Sequence, residues 1–198
     1  MNEPHSGFGR VLFLQGPSSV GKSTLAKALQ LGLDEYWWVL EADDITGMQP
    51  VSARTGWWNP TGEERPHPSW EPEVRLSRWL AGYFQCIATI ARTGSNVIAV
   101  GGWLEASWLI DLTHALQGIH ALCLGVHAPL DELQRREMAR GDRELGYALS
   151  HYHRVHSHGP YDLDVDTLAQ STDEIVASIR AVLASSPKPT FFERMLAS

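Results

Sequence analysis

The chain lacks most of what marks a secreted, membrane-bound or nucleic-acid-binding protein. Only two of its 198 residues are cysteine, Cys86 and Cys123, each inside an apolar segment and without metal-ligand spacing. That excludes a disulfide framework and leads us to expect two reduced core thiols. No run approaches the roughly 18 apolar residues that a membrane helix needs. The opening MNEPHSGFGR has no charged region followed by an apolar stretch, so no export signal is read there. Positive charge is scarce: 16 Lys and Arg against 23 Asp and Glu leave a net charge of −7. This argues against a nucleic-acid partner, because such binding rests on clustered cations neutralising phosphates. Internal repeats and a domain linker are also missing. With 43% hydrophobic and 20% charged residues, the composition is that of a globular protein, and the length suits one three-layer α/β domain over residues 1–198. The expectation is a soluble, cytoplasmic protein.

What is present centres on Gly16-Pro-Ser18-Ser19-Val20-Gly21-Lys22-Ser23-Thr24, which fits G-x-x-x-x-G-K-[ST] at every fixed position. A short apolar run, Val11 to Leu14, precedes it and reads as a buried strand. Leu25, Ala28 and Leu29 follow at helical spacing. Strand, glycine loop and helix are the order that turns successive N–H groups inward on phosphate oxygens at a helix N-terminus. Lys22 is then placed for the β- and γ-phosphates of ATP, and the Ser23 hydroxyl for Mg²⁺.

A second apolar run, Tyr36 to Leu40, ends in Glu41-Ala-Asp43-Asp44. Ligands of open parallel sheets gather outside the strands' carboxyl ends, so Asp43 is the candidate general base for an attacking hydroxyl. Residues two apart on an extended strand leave from the same face, which would point Glu41 and Asp43 into one site, as base and metal ligands, and Asp44 away. Capping of a following helical turn is the bland alternative for these acids. Residues 46–72 hold five prolines and little periodicity and read as an irregular insertion on the substrate side. Trp57, Trp58 and Trp70 within it, with Trp103, are candidate walls of an acceptor pocket.

Helical spacing returns from Glu73 to Thr93, with Val74, Leu76, Leu80, Phe84, Ile87 and Ile90 on or near one face. Strands follow at Asn96 to Val100 and His120 to Val126, with a helix from about Ser107 to Leu116 between them. An acidic Mg²⁺ ligand is usual just after the third strand of such proteins; here Gly101-Gly102 stands there, allowing close approach of substrate to backbone. A helix from Pro129 to Arg140 carries Arg136, Arg140 and, if it continues, Arg143, three guanidinium groups at i, i+4 and i+7 suited to phosphate oxygens. Residues 135–160 then form an arginine-bearing lid region. Interleaved Glu137, Asp142 and Glu144 support the alternative, a solvated, ion-paired helix. The histidines of HYHRVHSH lack metal-site spacing. A fifth strand at Tyr161 to Val165 and a helix from about Asp173 to Ala184 complete a doubly covered, five-stranded parallel sheet. The tail PKPTFFERMLAS shows no obvious partner.

Two further stretches carry a resemblance. Arg136-Glu-Met-Ala-Arg-Gly-Asp-Arg143, and Val155-His156 followed by Tyr161-Asp-Leu-Asp-Val-Asp-Thr167, are together similar to the chloramphenicol phosphotransferase-like family of P-loop kinases, over most of the chain. The resemblance implies ATP-dependent phosphorylation of a hydroxyl on a small molecule, an antibiotic being one candidate, with Asp43 matching the family's strand-two aspartate. Two departures, Gly101-Gly102 in place of an acidic pair and the tryptophan-rich loop, fall where the acceptor binds. The Glu-x-Asp plus Gly-Gly combination is also similar to shikimate- and gluconate-type kinases. A metabolic kinase of that type implies a polar, cationic acceptor pocket. A non-catalytic ATP-binding regulator implies binding without turnover.

Overall fold

A computed structural model describes residues 7–49, 72–103, 105–140 and 146–197. Five parallel strands run β1 (Val11–Gln15), β2 (Trp37–Glu41), β3 (Asn96–Gly101), β4 (Ala121–His127) and β5 (Leu163–Asp166), in spatial order β2-β3-β1-β4-β5. The central strand β1 pairs in register with both neighbours, Leu14 lying opposite Val100 on one side and Leu124 on the other. Every residue of β1 is buried, which is why Val11 to Leu14 read as an unbroken apolar run before Gln15.

Alternation along the strands divides the interior into two cores. Val11 and Phe13 face one, with helices α3 (Pro72–Arg92), α4 (Ala106–Ala115) and α8 (Phe191–Ala197); Leu12 and Leu14 face the other, with α1 (Lys22–Gly32), α5 (Leu130–Arg140), α6 (Tyr147–Tyr152) and α7 (Thr172–Ser185). On α3, Leu80, Phe84 and Ile87 are buried and Leu76 and Ile90 pack beside them, as their spacing predicts; the side chain of Val74 lies outside the described residues.

Three expectations need correction. The tail is not partnerless: Phe191 and Phe192 enter the first core, and the buried Asp162 carboxylate accepts the Phe191 N–H at 2.7 Å and pairs with Arg194 at 3.3 Å. Cys123 is buried, but Cys86 is exposed, because it sits on the outer face of α3. The chain after β2 does not run straight into an irregular loop; α2 (Ala42–Gly47) intervenes. Residues 50–71, with Trp57, Trp58 and Trp70, lie outside the described residues. No described helix is long and apolar enough to cross a membrane.

Candidate active site

The phosphate loop leaves β1 at Gln15 and enters α1 at Lys22. Its turn uses left-handed backbone at Ser19 (φ 64°) and Gly21 (φ 98°), the alternation that folds backbone N–H groups into an anion-binding concavity. Gly16 is required sterically, since a Cβ there would lie 2.5 Å from the Val126 carbonyl oxygen of β4. No side chain caps the start of α1, so its first N–H groups face the loop mouth. The Lys22 ammonium donates to the carbonyls of Gly16 at 2.8 Å and Pro17 at 2.7 Å. The Ser23 hydroxyl donates to Glu41 Oε2 at 2.5 Å.

A cavity of about 550 Å³ opens in front of this loop, a size suited to small ligands. Gly16, Ser18, Ser19, Gly21, Lys22, Ser23 and Thr24 form its floor. Val20 is buried in the second core and serves the site through its carbonyl. Glu41 and Asp43 both line the cavity, though not along one extended strand. β2 ends at Glu41, and Asp43 stands in the first turn of α2. Glu41 and Asp44 form a capping box at the start of α2, the Glu41 side chain accepting the Asp44 N–H and Asp44 accepting the Glu41 N–H at 3.4 Å, so the capping alternative holds for Glu41 as well as its place in the cavity.

α5 supplies the cationic wall. Arg136 and Arg140 line the cavity with Arg135, which spacing alone did not single out; Arg143 lies outside the described residues. Glu132 in the first turn of α5 grips both neighbouring guanidinium groups, Arg135 at 2.7 and 2.8 Å and Arg136 at 2.6 Å. Those bonds, Arg135 first, hold its carboxyl down at about 2. Arg136 Nη1 also donates to Thr167 Oγ1 at 3.0 Å and to the Val20 carbonyl at 3.2 Å. Thr167 in turn donates to that carbonyl at 2.7 Å. The end of β5, the arginine helix and the phosphate loop are thus joined at one point. Glu137 is not a surface ion-pairing group. It is 4% exposed and accepts the N–H groups of Gly146 and Ala148 at 2.9 and 2.8 Å, ordering the start of α6. That helix presents Tyr147 and His151, rings 4.2 Å apart, to the cavity.

On the β3 side the glycine spaces are filled by protein. A Cβ on Gly101 would meet Phe13 and Trp103 at 2.6 and 2.8 Å, and one on Gly102 the Gly16 carbonyl at 2.9 Å. Gly102 therefore lets β3 close on the phosphate loop. Both still line the cavity. The Trp103 ring is 2% exposed and sits among Phe84, Tyr83 and Trp79, at 5.6, 5.8 and 5.8 Å, so it offers the cavity little surface. Gln15 locks this corner: its amide donates to the Trp103 and Val155 carbonyls at 2.7 and 3.1 Å and its oxygen accepts the Trp103 N–H at 3.0 Å.

Of the histidines in the HYHRVHSH segment, His151 lines the cavity and His156 stacks on His127 at 4.0 Å, while His153 is exposed and His158 partly buried. Thr167, Gln15, Trp79, Arg135, Tyr147 and His151 are among the site residues that the sequence did not single out. Only Thr167 left a signal, its place directly after the fifth strand.

Residues 9–184 match the family described as chloramphenicol phosphotransferase-like proteins. A Mycobacterium tuberculosis protein, named provisionally as an O-phosphotransferase, is 27% identical over 94% of this chain and 88% of its own. Among solved structures, the APS kinase CysC of the same organism, in complex with AMPPNP and APS, superposes with a TM-score of 0.67 at 17% identity, covering 90% of this chain and 99% of that one. A gluconokinase from Sinorhizobium meliloti gives 0.61 at 21% identity, covering 90% and 94%. At those identities the two structures speak for the fold. The extent of the family match speaks for more: the chain belongs to the chloramphenicol phosphotransferase-like family and is a phosphotransferase.

Proposed function

We propose that the protein transfers the γ-phosphate of ATP to a hydroxyl of a small molecule, with Asp43 as general base. The observation that carries this is the sharing of one cavity by the Asp43 carboxylate, Lys22, Ser23 and three arginines. The residues fit a magnesium nucleotide. Left-handed turns at Ser19 and Gly21 and an uncapped helix start offer N–H groups to phosphate oxygens. The Ser23 hydroxyl and Glu41 carboxylate, 2.5 Å apart, are hard oxygen donors of the kind Mg²⁺ takes while keeping several waters. Among the described residues no group of three or more His, Cys, Asp or Glu is arranged to hold a metal ion, so the ion leans on Ser23, Glu41 and the phosphates themselves. Bound Mg²⁺ supplies neutralisation of phosphate charge.

The protein's own share is positional. Asp43 takes the acceptor's proton as the hydroxyl oxygen attacks. Lys22 and the loop N–H groups hold the β- and γ-phosphates. Arg136 and Arg140, with Arg135, stabilise charge on the transferring group from the α5 side. Among the described residues, Thr46, Trp79 and Trp103 line the cavity together with Asp43, and they bring it a mainly apolar and aromatic surface. That favours an acceptor with an apolar or aromatic body over a sugar acid. A hydroxyl-bearing antibiotic is of this type, and chloramphenicol is the first to test because the family bears its name. ATP as donor also suits a cytoplasmic setting.

The test is mass spectrometry of an alcohol and antibiotic panel after incubation with Mg²⁺ and ATP, run on the natural protein and Asp43→Asn. A phosphorylated product is expected. Asp43→Asn should keep nucleotide affinity and lose about 10²- to 10⁴-fold in turnover, the scale of general-base loss. Unchanged turnover would remove Asp43 from its role.

A further inference from the structure

Beside the acids, β2 and β3 stop pairing. The last paired residues are Glu41 and Val100; beyond them β2 turns into α2 and β3 into the Gly101-Gly102 corner. The divergence opens the acceptor end of the cavity, and it also removes the backbone partners that would hold the two strand ends together. A side chain from α3 fills the gap. Tyr83 is wholly buried, and its hydroxyl lies 2.9 Å from the Leu40 carbonyl of β2 and 2.9 Å from the Val100 carbonyl of β3, while accepting the Val100 N–H at 3.1 Å. One phenol thus stands in for a missing rung of the sheet, shared between the residue before Glu41 and the residue before Gly101.

The ring is held for this task. It stacks on Trp79 at 6.3 Å with planes 9° apart, and meets Trp103 edge-on at 5.8 Å. Burial, reinforced by the nearby carboxylates of Glu41, Asp43 and Asp44, pushes the phenol well above its ordinary pKa. It therefore remains a donor at every working pH.

We infer that Tyr83 is a positioning residue whose hydroxyl joins the diverging ends of β2 and β3 and so aims the Asp43 carboxylate at the acceptor. The inference rests on Asp43 acting as base, as proposed above. Removing the hydroxyl strips one partner from two carbonyls and an N–H three residues from Asp43 on one strand and next to Gly101 on the other. The base loses its aim, whereas the phosphate loop, anchored through β1, does not.

The experiment combines a double-mutant cycle with amide exchange. Mg²⁺–ATP hydrolysis, with water as acceptor, is measured in single turnover for the natural protein, Tyr83→Phe, Asp43→Asn and the double variant. Tyr83→Phe should lower the rate about tenfold, the kinetic equivalent of one buried hydrogen bond, with nucleotide KM within twofold. In the Asp43→Asn background the same change should have no effect, because the residue it aims has gone. Exchange at Val100 should rise about tenfold in Tyr83→Phe while Leu12 to Leu14 of β1 keep their protection, which separates a local loss from unfolding. A tenfold loss in both backgrounds, or unaltered exchange at Val100, overturns the inference. Asp43→Asn hydrolysing ATP at the natural rate overturns it together with the base assignment, and is distinguishable because Asp43→Asn alone reports it.

Discussion

Thr167→Val tests whether the junction between β5, α5 and the phosphate loop sets nucleotide affinity. The substitution keeps shape and deletes the hydroxyl. Its donation to the Val20 carbonyl at 2.7 Å and its acceptance from Arg136 Nη1 at 3.0 Å go with it, along with a longer 3.3 Å contact to the His127 carbonyl, which still accepts the Thr167 N–H. A neutral bond contributes about 1 kcal/mol and one to a charged group about 1.5–3 kcal/mol. Neither partner is wholly abandoned. Val20 still accepts from Arg136 at 3.2 Å, and Arg136 keeps Glu132. A net loss of about 1–2 kcal/mol follows, below the sum of about 2.5–4 kcal/mol because those partners remain. The hydroxyl acts on a loop that nucleotide binding must find ready-made, so the loss should be expressed as weaker binding. At about 1.4 kcal/mol per decade, AMPPNP with Mg²⁺ should bind roughly 5- to 30-fold more weakly. Isothermal titration calorimetry measures the affinity, and thermal unfolding of the free protein reports any accompanying loss of stability. Affinity within twofold and an unchanged midpoint would refute the reasoning, leaving the junction without influence on the loop.

Phe192→Ala removes a side chain that is 4% exposed and packs edge-on against Phe13 at 6.4 Å; urea unfolding should show a loss of about 3–5 kcal/mol, and a loss below 1 would return the tail to the periphery. The half-buried His156, desolvated and facing His127, is held down at about 4. Its folded pKa lies below the ordinary value near 6.5, so the unfolded chain binds the extra proton first and stability falls as pH drops from 6.5 towards 4. Discounted for its partial exposure, the effect is about 1–2 kcal/mol. The urea midpoint of the natural protein should fall relative to that of His156→Gln between pH 7 and pH 4.5; parallel curves would remove His156 as the cause.

The strand and helix order was legible because apolar runs and the phosphate loop are local signals. Val11 to Leu14 reads as a buried strand since β1 has neighbours on both sides. The acids after β2 were legible in kind but not in geometry, because a strand end and a helical first turn both favour Asp and Glu. What escaped depends on distance along the chain. Thr167 meets Val20 across 147 residues, and Gln15 meets Val155 across 140; no periodicity encodes either. Tyr83 falls in step with the apolar face of its helix, so its hydroxyl looks like an accident of core composition. Phe191 and Phe192 lie in a helix of seven residues, too short to establish a pattern. Cys86 misled because hydrophobic neighbours on a helix occupy different faces.

The placement of α8 has a consequence for how the chain is made. Phe191 and Phe192 belong to the same core as Phe13, Val97 and Cys123, yet they follow all five strands in order of synthesis. A nascent chain that has emerged through β5 therefore has its phosphate loop and complete sheet, but one face of that sheet still unsealed. A chain cut short before residue 190 should stay in that state.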